Sequence, residues 1–131
     1  MGLTTDDLVE IQGLAARYNH AVDSGDSEGF IACFTEKGVL SAGVIELEGH
    51  AALGDFAKNF AGSVREPRHI ATNVVIDGEG DKATLKAYIQ MYTLDGDPGT
   101  QVLSTSGKYN DQLAKEDGSW KFTKRVFTAD S

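Results

Sequence analysis

The sequence predicts an α+β domain in which three helices pack on one face of a strongly curved antiparallel sheet, in the order ααββαββββ. Three observations predict it. Apolar residues recur at steps of three and four near the N-terminus, and the pattern changes to short extended pieces after Lys37-Gly38. From Arg68 onward, long extended runs follow one another between Asp-Gly turns. Helices gathered ahead of strands, rather than alternating with them, belong on one face of an antiparallel sheet. At 131 residues the chain is expected to form one domain spanning 1–131, since single cores occupy roughly 100–200 residues.

Thr4 or Thr5 is placed to cap the first helix, with Asp6 and Asp7 in its opening turn, where carboxylates meet unpaired backbone N–H groups and the positive dipole end. Leu8, Ile11, Leu14, Ala15, Tyr18 and Val22 then form an apolar stripe, so this helix is expected to run to about Val22. Ser24-Gly25 stops it, because glycine takes the left-handed conformation that ends many helices. Asp26 or Ser27 opens a short second helix that carries Phe30, Ile31 and Phe34 and includes Cys33. Val39 to Ala42 and Val44 to Leu47 read as a small hairpin with Gly43 at its turn. Gly49-His50 opens a third helix in which Leu53, Phe56, Ala57 and Phe60 share one face, ending near Gly62. The four long strands are Arg68 to Asp77, Lys82 to Leu94, Thr100 to Ala114 and Trp120 to Thr128, expected as an antiparallel meander. Their connections, Asp77-Gly78-Glu79-Gly80, Asp95-Gly96-Asp97-Pro98-Gly99 and Asp117-Gly118, supply the positive φ that tight hairpins demand. Strands this much longer than the usual ~5–6 residues twist and curl, and a curled sheet makes a cup.

Composition narrows the function classes. With 40% hydrophobic and 24% charged residues, the chain has enough apolar side chains to offset chain entropy, unlike a disordered sequence. Twelve Lys and Arg against 20 Asp and Glu give a net charge of -8, which repels phosphate backbones and anionic membranes, so no nucleic-acid or membrane partner is expected. Cys33 is the only cysteine, so no internal disulfide and no thiolate metal site can form, and a reducing compartment suits the chain. The N-terminus lacks an apolar run of signal-peptide type, and the myristoylation pattern fails at Asp6, so a cytoplasmic location is expected. His20 and His50 do not repeat with carboxylates at metal-ligand spacing, Gly78-Glu79-Gly80 opens no phosphate loop, and Ser104 and Ser106 lack a nucleophile elbow. Neither a metal nor an organic cofactor is expected.

Five segments carry a resemblance. They are A-R-Y-N-H-A-V-D-S-G-D at Ala16 to Asp26, F-T-E-K-G-V at Phe34 to Val39, E-G-H-A-A-L at Glu48 to Leu53, R-H-I-A-T-N-V at Arg68 to Val74, and D-G-S-W-K-F at Asp117 to Phe122. In their order and spacing the chain resembles the SnoaL-like branch of the nuclear transport factor 2-like superfamily, which includes scytalone dehydratase and hexachlorocyclohexane dehydrochlorinase. The resemblance implies a cone-shaped α+β barrel whose open end admits a small, mostly apolar ligand. It also implies a catalytic Asp–His pair, at Asp23 and His69 here, and a pocket tyrosine five residues before the aspartate, at Tyr18, as in bile acid 7α-dehydratase. Two departures stand out. The position matching the general base of ketosteroid isomerase is Ala42, and Tyr88 to Tyr92 contains no counterpart of the second pocket histidine of scytalone dehydratase.

An imidazole is a useful base because its unperturbed pKa is about 6.5, and a carboxylate bonded to its other nitrogen fixes the tautomer and stabilises the imidazolium. By spacing alone, Asp23 reads as a solvated turn carboxylate and His69 as an ordinary strand residue; the resemblance is what pairs them. Tyr18 lies on the apolar stripe, where it either packs in the core or donates its hydroxyl to a substrate carbonyl. Strand alternation puts Tyr88 and Tyr92 on one face and Ile89 and Met91 on the other, so Tyr88, Met91, Tyr92 and Tyr109 are all candidate substrate contacts. Asn73 should point the same way as His69 and is a further candidate. The expected function is a cofactor-independent lyase, isomerase or cyclase acting on a small apolar carbonyl or cyclic compound. The alternative is a non-catalytic ligand-binding or assembly domain of the same fold. A homodimer is expected, since one face of so long a sheet would otherwise expose a broad apolar patch, and trimers occur among relatives sharing the dyad.

Overall fold

The computed structural model describes residues 2–131. Helices α1 (Thr5–Ser24), α2 (Ser27–Ile31) and α3 (His50–Ser63) accompany strands β1 (Phe34–Ala42), β2 (Ile45–Glu48), β3 (Arg68–Glu79), β4 (Lys82–Asp95), β5 (Thr100–Glu116) and β6 (Ser119–Ala129). The six strands make one open, curved sheet in the order β2-β1-β6-β5-β4-β3. Every pairing is antiparallel except β1 with β6, which is parallel. No described helix is long and apolar enough to cross a membrane.

Local chemistry sets the helix ends. Thr4 caps α1 through a reciprocal box: Asp7 N–H donates to Thr4 Oγ1 at 3.1 Å, and Thr4 N–H donates to Asp7 Oδ2 at 2.9 Å. Gly25 ends the helix with φ 74, a conformation that would strain any residue carrying a Cβ. Asp26 caps α2 by accepting from the Gly29 N–H at 2.9 Å.

One boundary expectation is corrected here. Phe34 and Cys33 lie beyond α2: Cys33 is in a turn and Phe34 opens β1. The Phe122 N–H donates to the Cys33 carbonyl at 2.8 Å, which draws the chain out of the helix and onto β6. β1 then runs through Lys37-Gly38, where a break was expected, by means of an irregularity between Phe34 and Val39. A Cβ at Gly38 would lie 2.9 Å from the Phe34 side chain, so only glycine fits this fold-back.

The core lies between the helices and the concave face of the sheet, where Tyr18, Phe30, Phe34 and Phe122 pack ring against ring at centroid distances of 4.9 to 6.1 Å. At one end Trp120 closes it, with its indole N–H donating to Asp7 Oδ1 at 2.9 Å. Cys33 is a buried free thiol, and burial pushes it up to about 11, so it remains protonated and unreactive.

Candidate active site

The site forms where the end of α1 meets the start of β3. Asp23 sits in the last turn of α1, against the negative end of the helix dipole, with no basic residue nearby in that turn. The compensation comes from a single residue of β3. The His69 backbone N–H donates to Asp23 Oδ2 at 3.0 Å, and ring Nδ1 lies 2.6 Å from Asp23 Oδ1. An ionised carboxylate only accepts, so Nδ1 carries the proton and Nε2 is left as the basic nitrogen. Both side chains are largely withdrawn from water, 12% exposed for His69 and 14% for Asp23. The Phe60 ring packs 5.6 Å from the imidazole.

His69 forms part of the wall of a cavity of about 220 Å³. Tyr18 and Val22 of α1, Leu40 and Ala42 of β1, and Phe56 and Phe60 of α3 line it, together with Ile89, Met91, Thr105, Tyr109 and Phe127 from the long strands. No Asp, Glu, Lys or Arg side chain is among its walls. Strand register orders the sheet side in rows. His69 pairs with Met91 and Met91 with Thr105, giving one row; deeper, Ala87, Tyr109, Phe127 and Ala42 form another.

Beneath that deeper row, Asp111 and Arg125 form a fully buried pair, Nε to Oδ1 at 3.0 Å and Nη2 to Oδ2 at 2.9 Å, with side-chain exposures of 0% and 1%. The guanidinium carbon sits 3.6 Å from the Tyr109 ring centre, 4.4 Å from Tyr18 and 4.3 Å from Phe122. Among the described residues its Nη1 has no hydrogen-bond acceptor, and the surrounding ring faces stabilise the guanidinium charge instead. Burial acts to lower the Arg125 pKa, but the Asp111 charge and hydrogen bond, together with the neighbouring Tyr109 and Tyr18, outweigh it and keep the guanidinium cationic. Burial pushes the Asp111 carboxyl up while Arg125 pulls it back. The Tyr18 and Tyr109 rings meet edge to face with centroids 6.1 Å apart; burial pushes both phenols above their usual range, and Arg125 draws them down.

The predicted residues divide cleanly. Tyr18, His69, Met91 and Tyr109 line the cavity, and Asp23 stands behind His69, bordering a separate groove with Arg65 and Glu66. Asn73, Tyr88 and Tyr92 do not line it, which corrects the expectation that they contact a ligand. For Asn73 the reason is a bulge between Thr72 and Val75. Asn73 takes φ 55 as the extra residue and is exposed, and Val74 resumes the inward phase. Tyr88 and Tyr92 occupy the opposite alternation phase from Ile89 and Met91, and Tyr88 is 54% exposed on the convex face. Sequence reasoning missed Thr105, Asp111 and Arg125. Asp111 keeps the inward phase of Tyr109 and Leu113, a signal that was present; Arg125 falls out of phase with Trp120 and Phe122 because of an irregularity at Gln112/Leu113. Among the described residues, no group of three or more His, Cys, Asp or Glu is placed to hold a metal ion.

An open curved sheet with helices on its concave side, enclosing an apolar cavity with a carboxylate–histidine pair in its wall, defines a protein of the NTF2-like, cystatin-like fold. The chain belongs to the SnoaL-like domain family, whose model matches residues 4–126. It is similar to a Mycobacterium tuberculosis protein of unknown function, with 31% identity and a TM-score of 0.90 over 95% of this chain and 72% of that one. A Nostoc punctiforme protein of unknown function with a cystatin-like fold is 28% identical, with a TM-score of 0.89 over 99% of this chain and 96% of that one. The dehydrochlorinase LinA, at 20% identity and a TM-score of 0.84 over 96% of this chain and 87% of its own, shares the fold. No curated protein matches the chain in sequence.

Proposed function

We propose that the protein is a cofactor-independent enzyme of the lyase, isomerase or cyclase type, which abstracts a proton from carbon next to the carbonyl of a small, neutral, mostly apolar ring compound. The observation that carries this reading is the 2.6 Å contact between Asp23 and a His69 ring that borders the apolar cavity. In this mechanism His69 Nε2 takes the proton, and Asp23 holds the ring in one tautomer and stabilises the imidazolium. Electron density moves from the broken C–H bond onto the carbonyl oxygen, which the Tyr109 and Tyr18 hydroxyls receive as hydrogen-bond donors. The Arg125 cation under both rings favours negative charge at that position. The imidazolium then returns its proton, to another carbon for isomerisation or to a departing hydroxyl for loss of water. Alternatively, the enolate carbon attacks a second carbonyl and closes a ring, the proton going to the new alkoxide. An apolar wall suits this chemistry, because excluding water strengthens each of these charge interactions.

The test is hydrogen–deuterium exchange at the enolisable carbon of α-tetralone, a neutral bicyclic ketone, followed by proton NMR in D₂O. Exchange above the His69→Gln background supports the reading. Binding without exchange favours the non-catalytic, ligand-binding alternative.

We also propose that a second copy covers the convex face of the sheet, giving a homodimer. Ile70, Val75, Tyr88 and Leu103 are exposed by 44%, 54%, 54% and 51% on strands β3, β4 and β5, an apolar patch that association would remove from water.

A further inference from the structure

We propose that Thr105 reads a second polar substituent on the ligand, so that the preferred substrate class is a neutral ring ketone bearing one additional hydroxyl or carbonyl group. This deepens the functional reading above and rests on its assignment of a neutral ring compound to the cavity. The other polar groups in the cavity wall are assigned to the reacting atoms: His69 Nε2, with Nδ1 held by Asp23, takes the proton, and the Tyr18 and Tyr109 hydroxyls, beside the Arg125 cation, receive the carbonyl oxygen. Thr105 lines the same cavity, and its hydroxyl has no hydrogen-bond partner among the described residues.

The register gives this hydroxyl a definite place. His69, Met91 and Thr105 are consecutive partners across β3, β4 and β5, so the backbones of His69 and Thr105 are about 10 Å apart at the ordinary strand spacing. Met91 lies between them and offers a soft, polarizable thioether floor for a ring. A ring over Met91 with its acidic carbon at His69 therefore directs its far substituent toward Thr105. That substituent is neutral, because no cation lines the cavity to receive a carboxylate or phosphate. Threonine is also suited to selecting it: β-branching restricts the side chain to few rotamers, so the hydroxyl direction is largely set before binding. A ligand lacking the substituent would shut an unpaired hydroxyl away from water, and this is the arrangement in which a pocket discriminates strongly for one polar group.

The experiment measures binding separately from exchange. Affinities of α-tetralone and its ring-hydroxylated isomers are determined by calorimetry for the full chain and for Thr105→Val and Thr105→Ser. The expected result is one hydroxylated isomer binding the unaltered protein about tenfold tighter than α-tetralone. Thr105→Val should abolish that preference and bind α-tetralone at least as tightly as the unaltered protein does, since no hydroxyl is then stranded, and Thr105→Ser should keep the preference. The proposal is overturned if Thr105→Val retains the preference, or if α-tetralone binds and no isomer is preferred. If no member of the series binds, the neutral-ring-ketone reading itself fails and takes this inference with it. If the preference follows Thr105 but no variant catalyses exchange, only the catalytic reading fails.

Discussion

Asp23 and His69, 46 residues apart in the chain, are joined twice: the carboxylate accepts the His69 backbone N–H through one oxygen and meets ring Nδ1 at 2.6 Å through the other. The backbone contact anchors the carboxylate to β3, and the ring contact sets the imidazole's orientation and tautomer. One residue therefore both pins Asp23 and is oriented by it. If the pair is the acid–base machinery, Asp23→Asn and His69→Gln should each lower exchange at the α-carbon of α-tetralone by about 10²–10⁴. Circular dichroism should show both variants folded. Exchange at the unaltered rate in either variant would remove the dyad from the mechanism.

Tyr109 is expected to act at the oxygen end of the substrate. Tyr109→Phe keeps the ring over Arg125 and deletes the donor, so its exchange rate should fall by roughly 10²–10³, the usual loss for one oxyanion donor. Tyr18→Phe should have a smaller effect if Tyr109 is the nearer donor. Comparing the two variants under saturating α-tetralone reads this directly, and an unchanged rate in both would argue against a phenol at the oxyanion.

The Asp111–Arg125 pair has no solvent to fall back on. Arg125→Met should leave a buried, unpaired carboxylate and cost about 3–5 kcal/mol in urea unfolding. Replacing both partners, Asp111→Leu with Arg125→Met, should cost less than the two single changes added together, since no charge is then stranded. Additive losses would mean that the two side chains act independently.

Asp7 makes stability depend on acid. The Thr4 backbone N–H, followed by the Trp120 indole, holds its carboxyl well below the ordinary value of about 3.9. Because the folded-state pKa is the lower one, this contribution is fully present above the unfolded value and is lost as pH falls through the folded one. Urea midpoints recorded from pH 5 down to pH 2 should therefore decline, and Asp7→Asn should flatten part of that decline while lowering stability at neutral pH. A parallel curve for the variant would contradict the assignment.

The convex face should carry the dimer contact. Tyr88→Glu places a charge in the exposed patch far from the cavity, and sedimentation velocity should then report the 14.0 kDa of one chain instead of two. A monomer before the substitution, or a dimer that survives it, would place the contact elsewhere or dispense with it.

Much of the fold was legible in the sequence because its signals are local. The Thr4 and Asp26 caps, the Gly25 stop and the Asp95-Gly96 and Asp117-Gly118 turns each act within a few residues, whereas Asp77-Gly78 stays in β3 and the chain reverses at Gly80-Asp81; long strands commit a sheet to curl. Strand phase was legible only in part. Alternation separates Tyr88 from Met91 but does not say which faces inward; that depends on where the helices lie. Asn73 shows the limit most clearly, since counting by twos from His69 points it into the cup, and one bulge residue with positive φ reverses the result.

What the sequence by itself determined is the order of elements, the helix ends and the pool of chemically able side chains, because these follow from propensities and periodicities within short windows. What tertiary structure alone decided is which of those side chains face one another. Asp23 meets His69, Arg125 slides under Tyr109, and Thr105 is left facing the cavity unpaired, because strand register, three irregularities in the long strands and the docking of α1 on β3 are set by packing across the whole sheet.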